Sequence, residues 1–201
     1  MTPPTPKRIL AVDPGMQYLG VAMLEGEELV WYAVKTFPER KVLSNMRPQV
    51  QQYLTAVFRK YRPTVLAVEE PFYVQSLLSD NLCKLTQDIK TWGKLKGLKV
   101  HSYYAPAVKA FFCRDQKTKE SLAEAMIERY PFLRRYLRFQ PWHRRYWFHV
   151  FDAIGLGLMC HCKLARLTAV KSNERIAAWQ QANTIAYAPN VAHEAASLLE
   201  D

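Results

Sequence analysis

The amino-acid sequence predicts an α/β protein built on a mixed five-stranded sheet, three antiparallel strands and then two parallel ones, flanked by helices. Three observations carry that expectation. Residues 8–37 read as three short strands joined by turns. From residue 48 the apolar period changes to that of a helix. Strands then alternate with helices in the order βββ-α-β-α-β-α-α, and a strand reached through a helix lies parallel to its predecessor, so the fourth and fifth strands should run parallel to the first.

Residues 1–7 are rich in proline and expected to be disordered. Residues 8–13 (RILAVD) alternate little, as a strand buried on both faces does, and Pro14 and Gly15 break them. Residues 18–24 and 29–37 form the next two strands, joined by the turn EGEE. From 48 to 61, Val50, Tyr53, Leu54, Val57 and Phe58 share one helical face, and Pro63 ends that helix. The fourth strand is TVLAV (64–68), with Glu69 at its carboxyl end. A helix at 76–96, a strand at 99–104 and helices at 105–112 and 118–130 follow. Residues 134–146 read as irregular and basic, 147–170 as a long helix, and 172–201 as one or two further helices. The expected organisation is thus one α/β domain over 8–170 and a helical C-terminal extension over 171–201.

The chain has 201 residues, 49% of them hydrophobic, which is ample for a core and unlike a disordered chain. A formal net charge of +10 points to an acidic partner, nucleic acid before an anionic membrane. No apolar run reaches about 18 residues free of charge, so no transmembrane helix and no membrane partner are expected. With no signal-peptide pattern in MTPPTPKRIL, a cytoplasmic protein is expected. The four cysteines are then free thiols. Cys160, His161 and Cys162 lack the second ligand pair that a zinc site needs.

The stretch WFHVFDAIGLGLMCH (147–161) raises a chemical question, because Asp152 lies inside an apolar helix. A lone carboxylate costs several kcal/mol to bury as a charge, on the order of a broken ion pair, unless something pairs with it. Asp13 and Glu69 each end a buried strand. Taken singly, Asp13 is a turn former, Glu69 a strand-end charge and Asp152 a helix-start residue. Together they converge, since the fourth strand of such a sheet lies beside the first and a late helix can cross that end. Of Glu69 and Glu70, adjacent in a strand, only one can face Asp13. Three carboxylates in one place repel and raise one another's pKa, and divalent cations with a taste for hard oxygen ligands, Mg²⁺ or Mn²⁺, remove the conflict. His149, one helical turn before Asp152, shares its face and could be a fourth ligand or a base.

The blocks ILAVDPG (9–15), AVEEPF (67–72) and HVFDAIGLGLMCH (149–161) resemble the three signature blocks of RuvC-type Holliday-junction resolvases, within the RNase H-like superfamily. The resemblance spans residues 8–165 in order and implies an RNase H-like fold, a homodimer, and paired nicks in four-way DNA junctions with Mg²⁺ or Mn²⁺. It implies catalytic and metal-binding roles for Asp13, Glu69 and Asp152. His149 stands where the family often has another aspartate, so its role as ligand or base stays open. Phe72 matches an aromatic placed against junction bases, and CKLTQ (83–87) the dimer helix, with Thr86 where glycine is usual. Lys109 and either Lys119 or Lys117 match lysines that contact phosphates near the scissile bond. The expected setting is the cytoplasm of a bacterium, or of a phage host.

Phosphodiester hydrolysis needs an activated water and a stabilised leaving oxygen, which two cations about 4 Å apart provide. Asp13 would bridge them, Glu69 would hold one, and Asp152 with His149 the other, leaving a 5′-phosphate and a 3′-hydroxyl. The segment RRYLRFQPWHRRYW (134–147) carries Arg134, Arg135, Arg138, Arg144 and Arg145 among five aromatics, a composition that suits phosphates and unstacked bases. Its competing reading is a solvated loop pinned to the core by those aromatics. The alternatives to a junction resolvase are an RNase H-like nuclease acting on RNA, of the pre-ribosomal-RNA processing type, a non-catalytic junction-binding module, and an actin-like ATPase fold. Such ATPase chains are usually longer and carry a second phosphate loop.

Overall fold

The computed structural model describes residues 7–37, 43–71, 77–138 and 141–187. Strands β1 (Arg8–Asp13), β2 (Tyr18–Glu25) and β3 (Glu28–Thr36) form an antiparallel meander. Helix α1 (Leu43–Tyr61), β4 (Val65–Glu70), α2 (Leu77–Leu95) and β5 (Lys99–Tyr104) follow. The chain then passes through α3 (Ala105–Phe112), α4 (Lys119–Arg129), a 3-10 helix (Pro131–Arg138) and α5 (Pro141–Tyr187). The sheet order is β3-β2-β1-β4-β5, with β4 parallel to β1 and β5 parallel to β4. This is the mixed sheet that the sequence predicts.

Local chemistry sets the boundaries. The α1 helix closes at Arg62, whose φ of 48° lies in the left-handed region and whose N–H donates to the Phe58 carbonyl, with Pro63 barring further turns. The α2 helix closes at Gly97, φ 76°, where Gly97 N–H bonds Lys94 O and Leu98 N–H bonds Gly93 O, so the last carbonyls are satisfied. The Thr118 side chain caps α4 by accepting from the Ser121 N–H at 3.1 Å.

Three expectations need correction. Helix α1 starts at Leu43, and Pro48 lies inside it rather than at its start. As the sixth residue, Pro48 cannot donate the i→i−4 bond to the Ser44 carbonyl, so the helix forgoes one backbone bond there. The described residues of the stretch 134–146 are not irregular, 134–138 belonging to the 3-10 helix and 141–146 to the start of α5. Beyond Val170, α5 runs on to Tyr187 in place of separate helices. The chain divides into two compact units, Met1–His161 and Cys162–Asp201.

The sheet's two faces differ. On one, Leu10, Val12, Val21, Met23, Leu66 and Val68 pack with Met46, Val50, Leu54 and Val57 of α1 and Leu85, Ile89 and Trp92 of α2. Each fully buried side chain of this size contributes about 1.5–3 kcal/mol. The opposite face is lined by smaller groups, Ala11, Ala22, Ala67 and Gly20, flanked by Ile9 and Leu24, all but Gly20 fully buried hydrophobics. There α5 comes very close. A methyl group built at Gly157 would overlap Leu24, and one at Gly20 would overlap the His149 carbonyl. By length and composition Tyr146–Arg175 could cross a membrane, although charged residues such as Asp152, Lys163 and Arg166 interrupt its apolar run. Its residues from Val150 to Cys160 are buried in this core instead.

Candidate active site

Strand β1 delivers Asp13 to the sheet's end. Asp13 pairs with Gly20 of β2, and Val12 lies beside Val68 of β4, so the next step along each strand sets Asp13 and Glu69 at the same end. Glu70 goes to the other side, where it accepts from Lys90 Nζ at 2.5 Å. The alternation of the strand thus separates two adjacent glutamates, one toward Asp13 and one toward α2.

Helix α5 supplies the rest. Because Gly20 lets the helix backbone touch β2, His149 reaches Asp13, with Nδ1 and Oδ2 2.5 Å apart. An ionised Asp13 accepts the Nδ1 proton and leaves Nε2 as the nitrogen that can ligate or take a proton. Tyr18 flanks the imidazole, its ring 5.7 Å away, and is itself held edge-on by Tyr146 at 5.4 Å. One turn on, Asp152 accepts from Lys119 Nζ at 2.8 Å. That is the partner the buried carboxylate requires. Asp152 is 4% exposed and Asp13 5%, and they are the only buried charged residues among the described ones. Asp152 is therefore no partly exposed helix start.

The electrostatics tie these acidic and basic groups together. Burial, then the charges of Asp13 and Asp152, push the Glu69 carboxyl from 4.5 up to about 9, against the pull of Lys119 and Lys109. Burial and Asp13 also raise Asp152, while Lys119 and His149 oppose the rise. Burial works against the charge on Lys119, but Asp152, Asp13 and Glu69 outweigh it and hold its pKa above the ordinary value.

Whether the site suits a divalent cation turns on this donor set. Three carboxylates that raise one another's pKa, with an imidazole beside them, have the oxygen-rich chemistry that Mg²⁺ or Mn²⁺ takes. As placed, however, no three Asp, Glu, His or Cys side chains stand ready to hold one ion among the described residues. In this cation-free arrangement Asp152 is paired with Lys119 and Asp13 with His149.

The other expected residues divide. Lys119 touches the cluster and Lys109 acts on Glu69 through its charge, whereas Lys117 is exposed beyond the α4 cap and enters none of these interactions. Arg134 and Arg135 are exposed, and Arg135 Nε donates to the Phe132 carbonyl. The aromatics around them are used in packing. Tyr136 stacks on Trp147 at 3.8 Å, its hydroxyl meets that of Tyr32 at 2.9 Å, and Tyr146 OH donates to Val34 O. Tyr136 and Tyr146 thus tie the segment to β3. Phe72 and the side chains of Arg138, Arg144 and Arg145 lie outside the described residues. Thr86 is 1% exposed and donates to Leu82 O, so it turns inward and not to an outer face. Sequence reasoning missed Gly20 and Tyr18. A glycine inside a strand signals close backbone approach and could have singled out Gly20. Tyr18 carries no such mark.

No protein-family model matches the chain, and no curated protein matches it. Solved structures do. The chain is similar to Thermus thermophilus RuvC in complex with a Holliday junction substrate, at 20% identity and TM-score 0.62, covering 80% of this chain and 96% of that one. A second Thermus thermophilus RuvC structure aligns over the same shares at 20% identity and TM-score 0.60. The yeast mitochondrial Holliday junction resolvase aligns at 15% identity and TM-score 0.56, covering 85% of this chain and 86% of that one. The fold is RNase H-like. At such identities the likeness is one of architecture.

Proposed function

We propose that this chain is a metal-dependent endonuclease that resolves four-way DNA junctions by paired nicks, leaving 5′-phosphate and 3′-hydroxyl ends. One observation carries the reading. The only buried charges among the described residues, Asp13 and Asp152, meet Glu69 and His149 at one end of the sheet. The resolvase-like fold supports it, and so does the +10 charge.

Asp13, Glu69 and Asp152 would hold Mg²⁺ or Mn²⁺, with His149 as a fourth ligand or as the base. Such ions supply charge neutralisation at the phosphate and a water acidic enough to attack at neutral pH. The chain's own residues do the rest. Asp13 fixes the imidazole of His149 and leaves Nε2 either to ligate the ion or to receive the proton of the attacking water. Lys109 and Lys119 bring positive charge to the phosphate. Lys117, Arg134, Arg135, Arg138, Arg144 and Arg145 would follow the DNA backbone, and Phe72 would meet a junction base. A homodimer would present two such sites to the two strands. The cytoplasm suits the substrate and the free thiols.

The test is a labelled four-way DNA junction incubated with the protein and Mn²⁺, beside linear duplex and RNA. Symmetric nicks in the junction alone, abolished in Asp13→Asn with junction binding kept, are expected. Binding without nicks under any cation would make the chain a junction scaffold, and cleavage of RNA instead would make it an RNA-processing nuclease.

A further inference from the structure

Lys119 is placed against the grain of its own helix. It is the first residue of α4, fixed there by the Thr118 cap, so its ammonium lies at the positive end of the helix dipole. Its side chain nonetheless reaches back to Asp152 Oδ2 at 2.8 Å, and the charges of Asp13 and Glu69 also act on it. The ammonium thereby neutralises part of a three-carboxylate cluster. It also occupies an oxygen that a divalent ion would need.

We propose that Lys119 is the resident counter-cation of this site: its ammonium holds Asp152 until a divalent ion takes that carboxylate, and ion entry frees the ammonium for an anion such as a DNA phosphate. Ion entry and the release of Lys119 are then one exchange. The inference rests on the reading of Asp13, Glu69 and Asp152 as metal ligands. Lys109 provides the contrast, because it acts on Glu69 through its charge and makes no hydrogen bond to the three carboxylates.

The experiment is Mn²⁺ titration of the full chain without DNA, followed by calorimetry. Lys119→Met should bind Mn²⁺ tighter than wild type by about tenfold or more, since a competing charge at contact distance is removed. Lys109→Met should gain clearly less. A second measurement uses the wild type alone, so that it survives any folding defect in the variant. Acylation by an amine-selective ester, read by peptide mass spectrometry, should become faster at Lys119 when Mn²⁺ is added and stay unchanged at exposed Lys96. If wild type binds Mn²⁺ but Lys119→Met binds no tighter than Lys109→Met, or acylation of Lys119 does not change, the exchange is wrong while the metal reading stands. If neither wild type nor either variant binds Mn²⁺, the metal reading fails and takes the exchange with it.

Discussion

The two faces of the sheet use the same alternation of strand residues for different ends. The face under α1 and α2 carries branched and long side chains, Leu10, Val12, Leu66 and Val68, and is filled by Leu54, Ile89 and Trp92. The face under α5 carries Gly20, Ala11, Ala22 and Ala67, and the helix backbone comes down onto it. The first face holds the fold together. On the second, small residues let α5 set His149 beside Asp13 and Asp152 within the field of Glu69. Packing volume on one side and close approach on the other are both read from residue size, but only the second brings charged groups together.

The largest expected effects separate the faces. Leu54→Ala should lower stability by about 2–5 kcal/mol through the cavity it leaves, while the nicking rate of the folded fraction stays within about twofold. Denaturant melts beside junction assays check both halves. Gly20→Ala should cost about 1–3 kcal/mol of stability by overpacking against the His149 carbonyl, and in addition lower the nicking rate of the folded fraction by about a hundredfold. If both substitutions changed stability alone, the division of labour between the faces would collapse.

A pH series sharpens the contrast. Glu69 titrates near 9 in the folded chain against an ordinary 4.5. Its folded pKa is raised, so its contribution to stability is full below about pH 4.5 and is lost as pH rises toward 9. The cation-free protein should therefore melt at progressively lower temperature as pH rises across that window, and Glu69→Gln should flatten the trend. Thermal melts in chelator at several pH values are the measurement. The smallest effect belongs to the exposed rim. Arg134→Ala and Arg135→Ala should each lower the salt slope of junction affinity by about one unit, since each would lose a phosphate contact, with little change in stability.

Much of this was legible in the sequence. The period change after the third strand pointed to a mixed sheet, and Asp13 and Glu69 at strand ends, with Asp152 inside an apolar helix, pointed to the convergence. What was not legible depended on contacts across the chain. Nothing local to Lys119 distinguishes it from Lys117, and its pairing with Asp152 arises only when α4 packs beside α5. The aromatics of 134–147 looked free to meet bases because their partners, Tyr32 and Val34, lie on β3, more than 100 residues away. Pro48 misplaced the start of α1 because proline is favoured at the first helical turn, whereas here it is the sixth residue of a helix that begins at Leu43.

The most direct test compares two adjacent residues that the strand sends to opposite faces. Nicking of a four-way junction with Mn²⁺ should fall by about a thousandfold in Glu69→Gln, which loses a charge at the site. It should change by no more than about threefold in Glu70→Gln, which loses only a partly exposed ion pair with Lys90. Equal losses in the two variants, or a greater loss at Glu70, would contradict the assignment of the chemistry to the face under α5.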